Sequence, residues 1–450
     1  MAQISYIKYK DIKEAGRYDA EYFKPEYLAI EKRLNIINSD FLFNLADNTY
    51  RKYNPKNKEK YFDYLEISNI NIKTGEYEKE RIANNQQPSR AKKICNKFDL
   101  LISTVRPNRN AVSIILEEKE NLIASTGFCK LRKIKVNPYY LFILFKTSDY
   151  IKLLDRKTTA TQYPAVNEND ILNLKIPILP QSFQLQIEEI VKSAHAKQSQ
   201  SKQLYREAEE LLLQELGLLN YKVKHTLSFS TTKKEIEKAK RYDSEYFQPK
   251  YAEIIDRIEK YEGGWDYVGE IIKWKKGIEV GTEAYTEKGK EFIRVSDFSI
   301  YGISESNRKI SDEAFENFKK NYQPNKGEIL FTKDGTIGIS YVVKEDVWGV
   351  LSGAFLRLSL KEKYKDFEKE CLSLIFNSIL CKMQVEKLSG GALIAHLKPS
   401  DFESIKIPLI KPLTQIQIAE KIQESHRLRK ESKELLEEAK RKVEDEIERL

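Results

Sequence analysis

The 450-residue chain contains no apolar run long enough to cross a bilayer. Its opening stretch, MAQISYIKYKDIKEAG, has no signal-peptide core, so a cytoplasmic protein that stays where it is made is expected. Four cysteines, Cys95, Cys129, Cys371 and Cys381, form no CxxC pair. That excludes a disulfide framework and fits a reducing compartment, where such residues pack as small hydrophobes. No Pro-Pro dipeptide and no GxGxxG occur anywhere, so the target-base loop and the cofactor loop of a self-contained DNA methyltransferase are both missing. A P-loop is absent too, and GTIG at 335–338 reads as a hairpin turn. The four histidines give no metal-ligand cluster: His195 and His426 read as flanks of a coiled coil, while His225 and His396 stand isolated. A nuclease core forced from Asp99, Glu117 and Lys119 reads better as a solvated turn in a chain so rich in Glu and Lys.

What is present is a large, charged, globular sequence. At 450 residues two or more domains are expected, and 41% hydrophobic with 32% charged residues argues against wholesale disorder. The net charge of +9 is compatible with a polyanionic partner without establishing one.

The strongest signal is internal repetition. Arg17–Pro25 (RYDAEYFKP) returns as Arg241–Pro249 (RYDSEYFQP), seven identities in nine at an offset of 224. Asp170–Ile187 (DILNLKIPILPQSFQLQI) returns as Asp401–Ile418 (DFESIKIPLIKPLTQIQI) at an offset of 231. Between them, fainter pairs keep their order: Tyr64–Ile70 with Phe292–Phe298, Asp99–Ser103 with Glu328–Thr332, and Ser125–Phe128 with Ser352–Phe355. Matched ends with divergent middles indicate one scaffold carrying two different surfaces.

Each half reads as a short β-like opening, then a helix begun by Pro25 or Pro249, then short strands broken by turns at Lys73–Gly75 and Lys333–Gly335. Helical runs at Tyr139–Leu154 and Phe367–Leu388 precede a Lys-Ile-Pro strand. A long helix of roughly 35 residues closes each half, spanning on the order of 50 Å. Ile187, Val191, Ala194, Gln198, Ser201, Tyr205, Ala208 and Leu212 alternate at spacings of four and three. Ile418, Ile422, Ser425, Arg429, Ser432, Leu436, Ala439 and Val443 occupy the same rungs 231 later. That 3.5-residue period predicts a coiled-coil seam, with polar central rungs fixing register, and Gly217 ends the first helix.

On the paired RYD openings, the paired KIPILP/KIPLIK strands with Gln-x-Gln-Ile and the two terminal helices, the chain resembles the specificity (S) subunits of Type I restriction-modification systems. The resemblance implies an α+β fold of two similar halves, each a target-recognition domain followed by a long helix, the helices pairing as an antiparallel coiled coil. The implied boundaries are 1–180 and 220–411 for the recognition domains (the latter with its linker), and 181–219 and 412–450 for the helices. It further implies a non-catalytic subunit reading a bipartite, asymmetric sequence in double-stranded DNA. Two methyltransferase (M) subunits would be recruited, and through them the restriction (R) subunits. This chain would bind no cofactor, with S-adenosylmethionine, ATP and magnesium on the partners. A coiled-coil assembly scaffold without sequence-specific DNA binding is the alternative.

Under that resemblance the candidate DNA contacts of the first half are Arg51, Lys52, Lys73, Arg90, Lys92, Lys93, Arg106, Asn108 and Arg109. The RPNRN stretch at 106–110 joins two guanidiniums to two amides, the groups that pair with guanine and adenine edges. Second-half candidates are Lys273, Lys275, Lys276, Arg294, Arg308, Lys309, Lys333 and Asp334. Lysines chiefly meet phosphates. Asp334 has two readings, an acceptor for a cytosine amino group or a cap of its turn, and the cap is favoured.

Overall fold

The computed structural model describes residues 4–54, 60–118, 121–159, 163–224, 226–389 and 396–450. The chain forms two compact α+β units, Met1–Gln198 with Lys430–Leu450, and Ser199–Arg429, so the division falls inside both long helices.

Each unit opens differently from the β-like segment read in the sequence. Helix Tyr9–Ala15, a 3₁₀ turn Ala20–Phe23 and helix Pro25–Ile36 follow one another in the first. Helix Lys233–Ala239, turn Ser244–Phe247 and helix Pro249–Glu259 recur in the second. Alternation over the first residues gives way to the helix formers of KDIKEA and KEIEKA, stopped by left-handed Gly16 and Lys240. The repeated RYD motif has a local cause: Arg17 grips Asp19 through Nε at 2.6 Å and Nη2 at 3.1 Å, and Arg241 grips Asp243 at 2.6 and 2.8 Å.

Strand pairing repeats as well. Tyr61–Leu65 lies parallel to Leu122–Ser125, as Lys290–Ile293 does to Gly349–Leu351. Leu100–Ser103 is flanked antiparallel by Val112–Ile114 and Phe128–Leu131, and Ile329–Thr332 by Ser340–Val342 and Phe355–Leu360. These two central strands are fully buried because both faces are covered. Leu100 and Ile102 join the large core of the first unit and Leu101 a smaller one; Ile329 and Phe331 against Leu330 divide in the same way. The Lys-Ile-Pro strands pair with Ser39–Phe41 and with Trp265–Tyr267.

The two shorter helical runs are each a pair of helices. Pro138–Leu144 and Ser148–Arg156 break at Thr147, and Lys369–Asn377 and Ile379–Ser389 at Ser378. Both hydroxyls donate back to a carbonyl three residues earlier, at 2.7 Å, in place of a continued helix.

The long helices run Gln181–Glu215 and Pro412–Arg449. Of the rungs named above, every one is buried except Arg429. Within the second unit Ser201 meets Ser425 at 3.1 Å, Glu207 meets Lys421 at 2.6 Å and Glu215 meets Thr414 at 3.3 Å. One number rises as the other falls, so the pairing is antiparallel. Within the first unit Ile187, Val191 and Ala194 share a core with Leu436, Ala439, Val443 and Ile447, beside a Lys197–Glu431 pair at 2.6 Å. Gly217, at φ +65°, ends the first helix while the Leu218 amide donates to Leu213 O at 2.7 Å. The first glutamine of each Gln-x-Gln-Ile is a clamp. Gln184 accepts from the Asn137 amide and donates to Leu179 O, as Gln415 does with Glu368 and Ile410.

Candidate nucleic-acid interface

The central strand of each unit delivers one loop. In the first, Leu100–Ser103 runs into Arg106, whose amide donates to Pro164 O at 2.7 Å. A 3₁₀ turn Pro107–Arg109 follows, closed by the Arg109 amide on Arg106 O at 2.9 Å. Arg106 and Asn110 flank it at φ +48° and +57°, a conformation that costs a non-glycine residue of order 1 kcal/mol. The Arg106 guanidinium lies 5.0 Å from the centre of the Tyr163 ring, and that ring is 66% exposed. Asn108 and Arg109 are exposed beside it. The loop therefore offers a stacked guanidinium, an exposed one and an amide, which suits base edges in a groove.

The second unit builds the corresponding loop differently. Thr332 Oγ1 donates to Thr336 O at 2.6 Å and accepts from the Ile339 amide at 2.9 Å, with Gly335 and Gly338 at φ +71° and +90°. Lys333 does not reach solvent: it is buried, and its ammonium is bound to the Asp334 carboxylate. Nor does the Asp334 carboxylate cap the turn, a task Thr332 performs; it sits between Lys333 and Nδ1 of His396. His396 is thus not isolated, and its side chain is 56% exposed. Asp334 bridges to His396 where Val105 bridges to Ala165 in the first unit, so the same scaffold point carries an ionisable pair in one half and an apolar pair in the other.

The remaining candidates separate by burial and partner. Lys93 leaves the surface entirely: its ammonium donates to Phe128 O at 2.6 Å and to Glu168 at 2.5 Å, a counter-charge that offsets the cost of burying a cation. Its strand neighbours stay accessible. Arg51 and Lys52 are exposed, Arg90 is exposed and Lys92 half-buried, and the Lys52–Lys93 bridge brings them together. Lys73 is half-buried in its turn, where the Asn71 side chain accepts from the Lys73 and Thr74 amides. Lys273, Lys275 and Lys276 are exposed on the strand Ile272–Lys276. Lys276 holds Glu279 at 2.7 Å and keeps that carboxyl below its usual range. Arg294 is turned onto the buried Asp297 carboxylate; Arg308 is exposed over the Tyr285 ring at 5.1 Å, and Lys309 is half-buried. Tyr163 and His396 escaped the sequence reading. The one signal for His396 was the 231 offset, which sets it opposite Ala165.

Other polar groups are structural. Asp99 is no solvated turn residue but a buried partner of Lys130 at 2.8 Å; Glu117 binds Lys79, and Lys119 lies outside the described residues, as does His225. His195 and His426, each one residue beyond a rung, are turned onto aromatic rings outside their own helix. The His195 ring lies 6.2 Å from Phe142, and His426 is 5.2 Å from Tyr341 with Nε2 3.2 Å from Ile300 O. Desolvation lowers both, His426 to about 4. All four cysteines are buried and free; burial pushes the Cys95, Cys129 and Cys381 thiols up to about 12 and raises Cys371 too. Among the described residues no three His, Cys, Asp or Glu side chains converge on a metal site, and no helix is long and apolar enough to cross a membrane.

Residues 268–440 match the family model of the Type I restriction modification DNA specificity domain. The resemblance read from the repeats agrees with that match, which covers the greater part of the second half. No curated protein gives a significant match. Solved structures with a likeness to this one include a chain of a type I R-M system described for complex assembly and conformational transition, at 19% identity and TM-score 0.34. The HsdS subunit from Thermoanaerobacter tengcongensis gives 19% and 0.33, and the Type-I restriction-modification S subunit from M. genitalium 14% and 0.41. Each comparison covers 91% of this chain and 96% of the other.

Proposed function

We propose that the chain is the non-catalytic specificity subunit of a Type I restriction-modification complex, each half reading one part of a bipartite, asymmetric DNA target. The observation that carries this reading is the pair of equivalent loops, at 106–110 and 333–339, on one repeated scaffold but with different chemistry. Identical binding duties would have no use for the difference; two unlike half-sites would. The long helices serve as the spacer, so changing their length alters the distance between half-sites and not the bases read. Two methyltransferase subunits dock on the chain and bring restriction subunits with them. S-adenosylmethionine, ATP and magnesium act on those partners, in the cytoplasm.

The decisive experiment is binding of the complex assembled with its methyltransferase subunits to a randomised duplex library. A selected bipartite sequence, bound with affinity that falls steeply with salt, is the expected result. A flat salt response with no selected sequence would favour the coiled-coil scaffold. Methylation by the isolated chain given S-adenosylmethionine and the selected DNA would overturn the non-catalytic assignment.

A further inference from the structure

Lys146 is buried in the first unit, and no carboxylate among the described residues lies within ion-pair distance of its ammonium. Instead Nζ donates to two main-chain carbonyls, Ile72 O at 2.7 Å and Asn110 O at 3.2 Å, with the Phe142 ring centre 5.9 Å away. Burying an ammonium without a counter-charge is costly, and a methionine would fill similar volume without that cost. Burial lowers its pKa to about 7. Of the charged groups facing it, both on the second long helix, Lys440 adds to the lowering and Glu437 opposes it.

What the ammonium gains is local. Its two acceptors belong to two different segments that carry candidate DNA contacts: the turn 71–75 with Lys73, and the loop 106–110 with Arg106, Asn108 and Arg109. Asn110 answers from the other side, its amide donating to Phe145 O at 2.7 Å. At the equivalent place 231 residues later stands Asn377. Its amide donates to Ser340 O and accepts from the Ser340 amide, both at 2.8 Å, immediately beyond the loop 333–339.

We propose that Lys146 is a positioning residue for DNA reading in the first half, tying the Lys73 turn and the Arg106–Asn110 loop into one surface of fixed geometry. This rests on the DNA-reading function proposed above. At the equivalent place in the second half the neutral amide of Asn377 holds the end of loop 333–339 alone, and donates also to the Tyr205 hydroxyl of the long helix at 3.1 Å.

The test uses the complex assembled with methyltransferase subunits and duplexes altered by one base pair in either half-site. Lys146→Met is expected to lower discrimination about tenfold at the first half-site only, with discrimination at the second unchanged. Lys146→Gln, which retains two donors, is expected to restore most of it. Thermal unfolding checks that the variants are folded. If Lys146→Met does not fold, Asn110→Ala breaks the reciprocal bond and is expected to cost about fivefold at the same half-site. Unchanged discrimination in a folded variant, equal loss at both half-sites, or no rescue by glutamine would overturn the proposal. Arg106→Ala with Arg109→Ala separates the two levels. If that double variant keeps full discrimination, the reading function of the loop fails; if it alone loses discrimination, only the role of Lys146 does.

Discussion

The loops at 106–110 and 333–339 leave equivalent strands and are braced by equivalent segments, yet share almost no chemistry. The first is held open by two left-handed non-glycine residues and offers two arginines, one stacked on Tyr163. The second is closed by Thr332 and two glycines, buries its lysine and offers the Asp334–His396 pair. Charge is spent inward in one half and outward in the other. A repeated fold therefore fixes where a loop side chain stands, and leaves its sign and reach to a few residues.

That contrast can be broken in graded ways. The largest effect is expected from removing Arg106 and Arg109 together. Under the proposed function, loss of the two guanidiniums should cost on the order of a hundredfold in first half-site discrimination in competition binding, while Asp334→Ala affects only the second. Equal losses at both half-sites would mean that the loops are not separate readers.

Next is the backbone beneath the first loop. A Cβ on Gly75 would stand 2.6 Å from the Phe142 ring and 2.9 Å from Val112 O, at φ +71°. Gly75→Ala should destabilise the first unit by about 2 kcal/mol, and faster amide exchange confined to that unit is the expected readout. Protection lost throughout the second unit as well would mean that the two do not respond separately.

A third expectation concerns pH and His426 of the second half. His426, lowered to about 4, folds neutral, whereas the unfolded chain takes up its proton near 6.5. Its contribution is therefore complete above pH 6.5 and is lost as pH falls towards 4. After allowance for partial exposure this amounts to about 1.5 kcal/mol. The melting temperature of His426→Phe should fall less than that of the wild type between pH 7 and 4.5, and parallel curves would refute this. The smallest effect belongs to the seam. Ser201→Ala removes the bond to Ser425 and should cost about 1 kcal/mol in denaturant unfolding. Neutral behaviour would mark the serines as chosen for size alone.

Much of this molecule was legible in the one-dimensional text because repetition is an internal comparison. The RYD motif, the Lys-Ile-Pro strands and the helix rungs return together, and each has a local cause in the structure: a bidentate ion pair, an edge strand, a buried 3.5-residue stripe. The candidate interface was far less legible. Lys93 and Lys333 look like any surface lysine in sequence, and only their partners Glu168 and Asp334 show that they point inward. Asp99 looked solvated and is paired under the sheet with Lys130.

Sequence by itself determined the two-fold plan and the two long helices with their buried rungs, since periodicity and repeated short-range motifs are written along the chain. Only tertiary structure decided which cations face solvent, which histidine meets Asp334, and that one buried ammonium joins two loops. Those contacts are made between residues far apart in sequence, and burial, which sets the energy of a charge, is a property of the packed fold rather than of any segment of it.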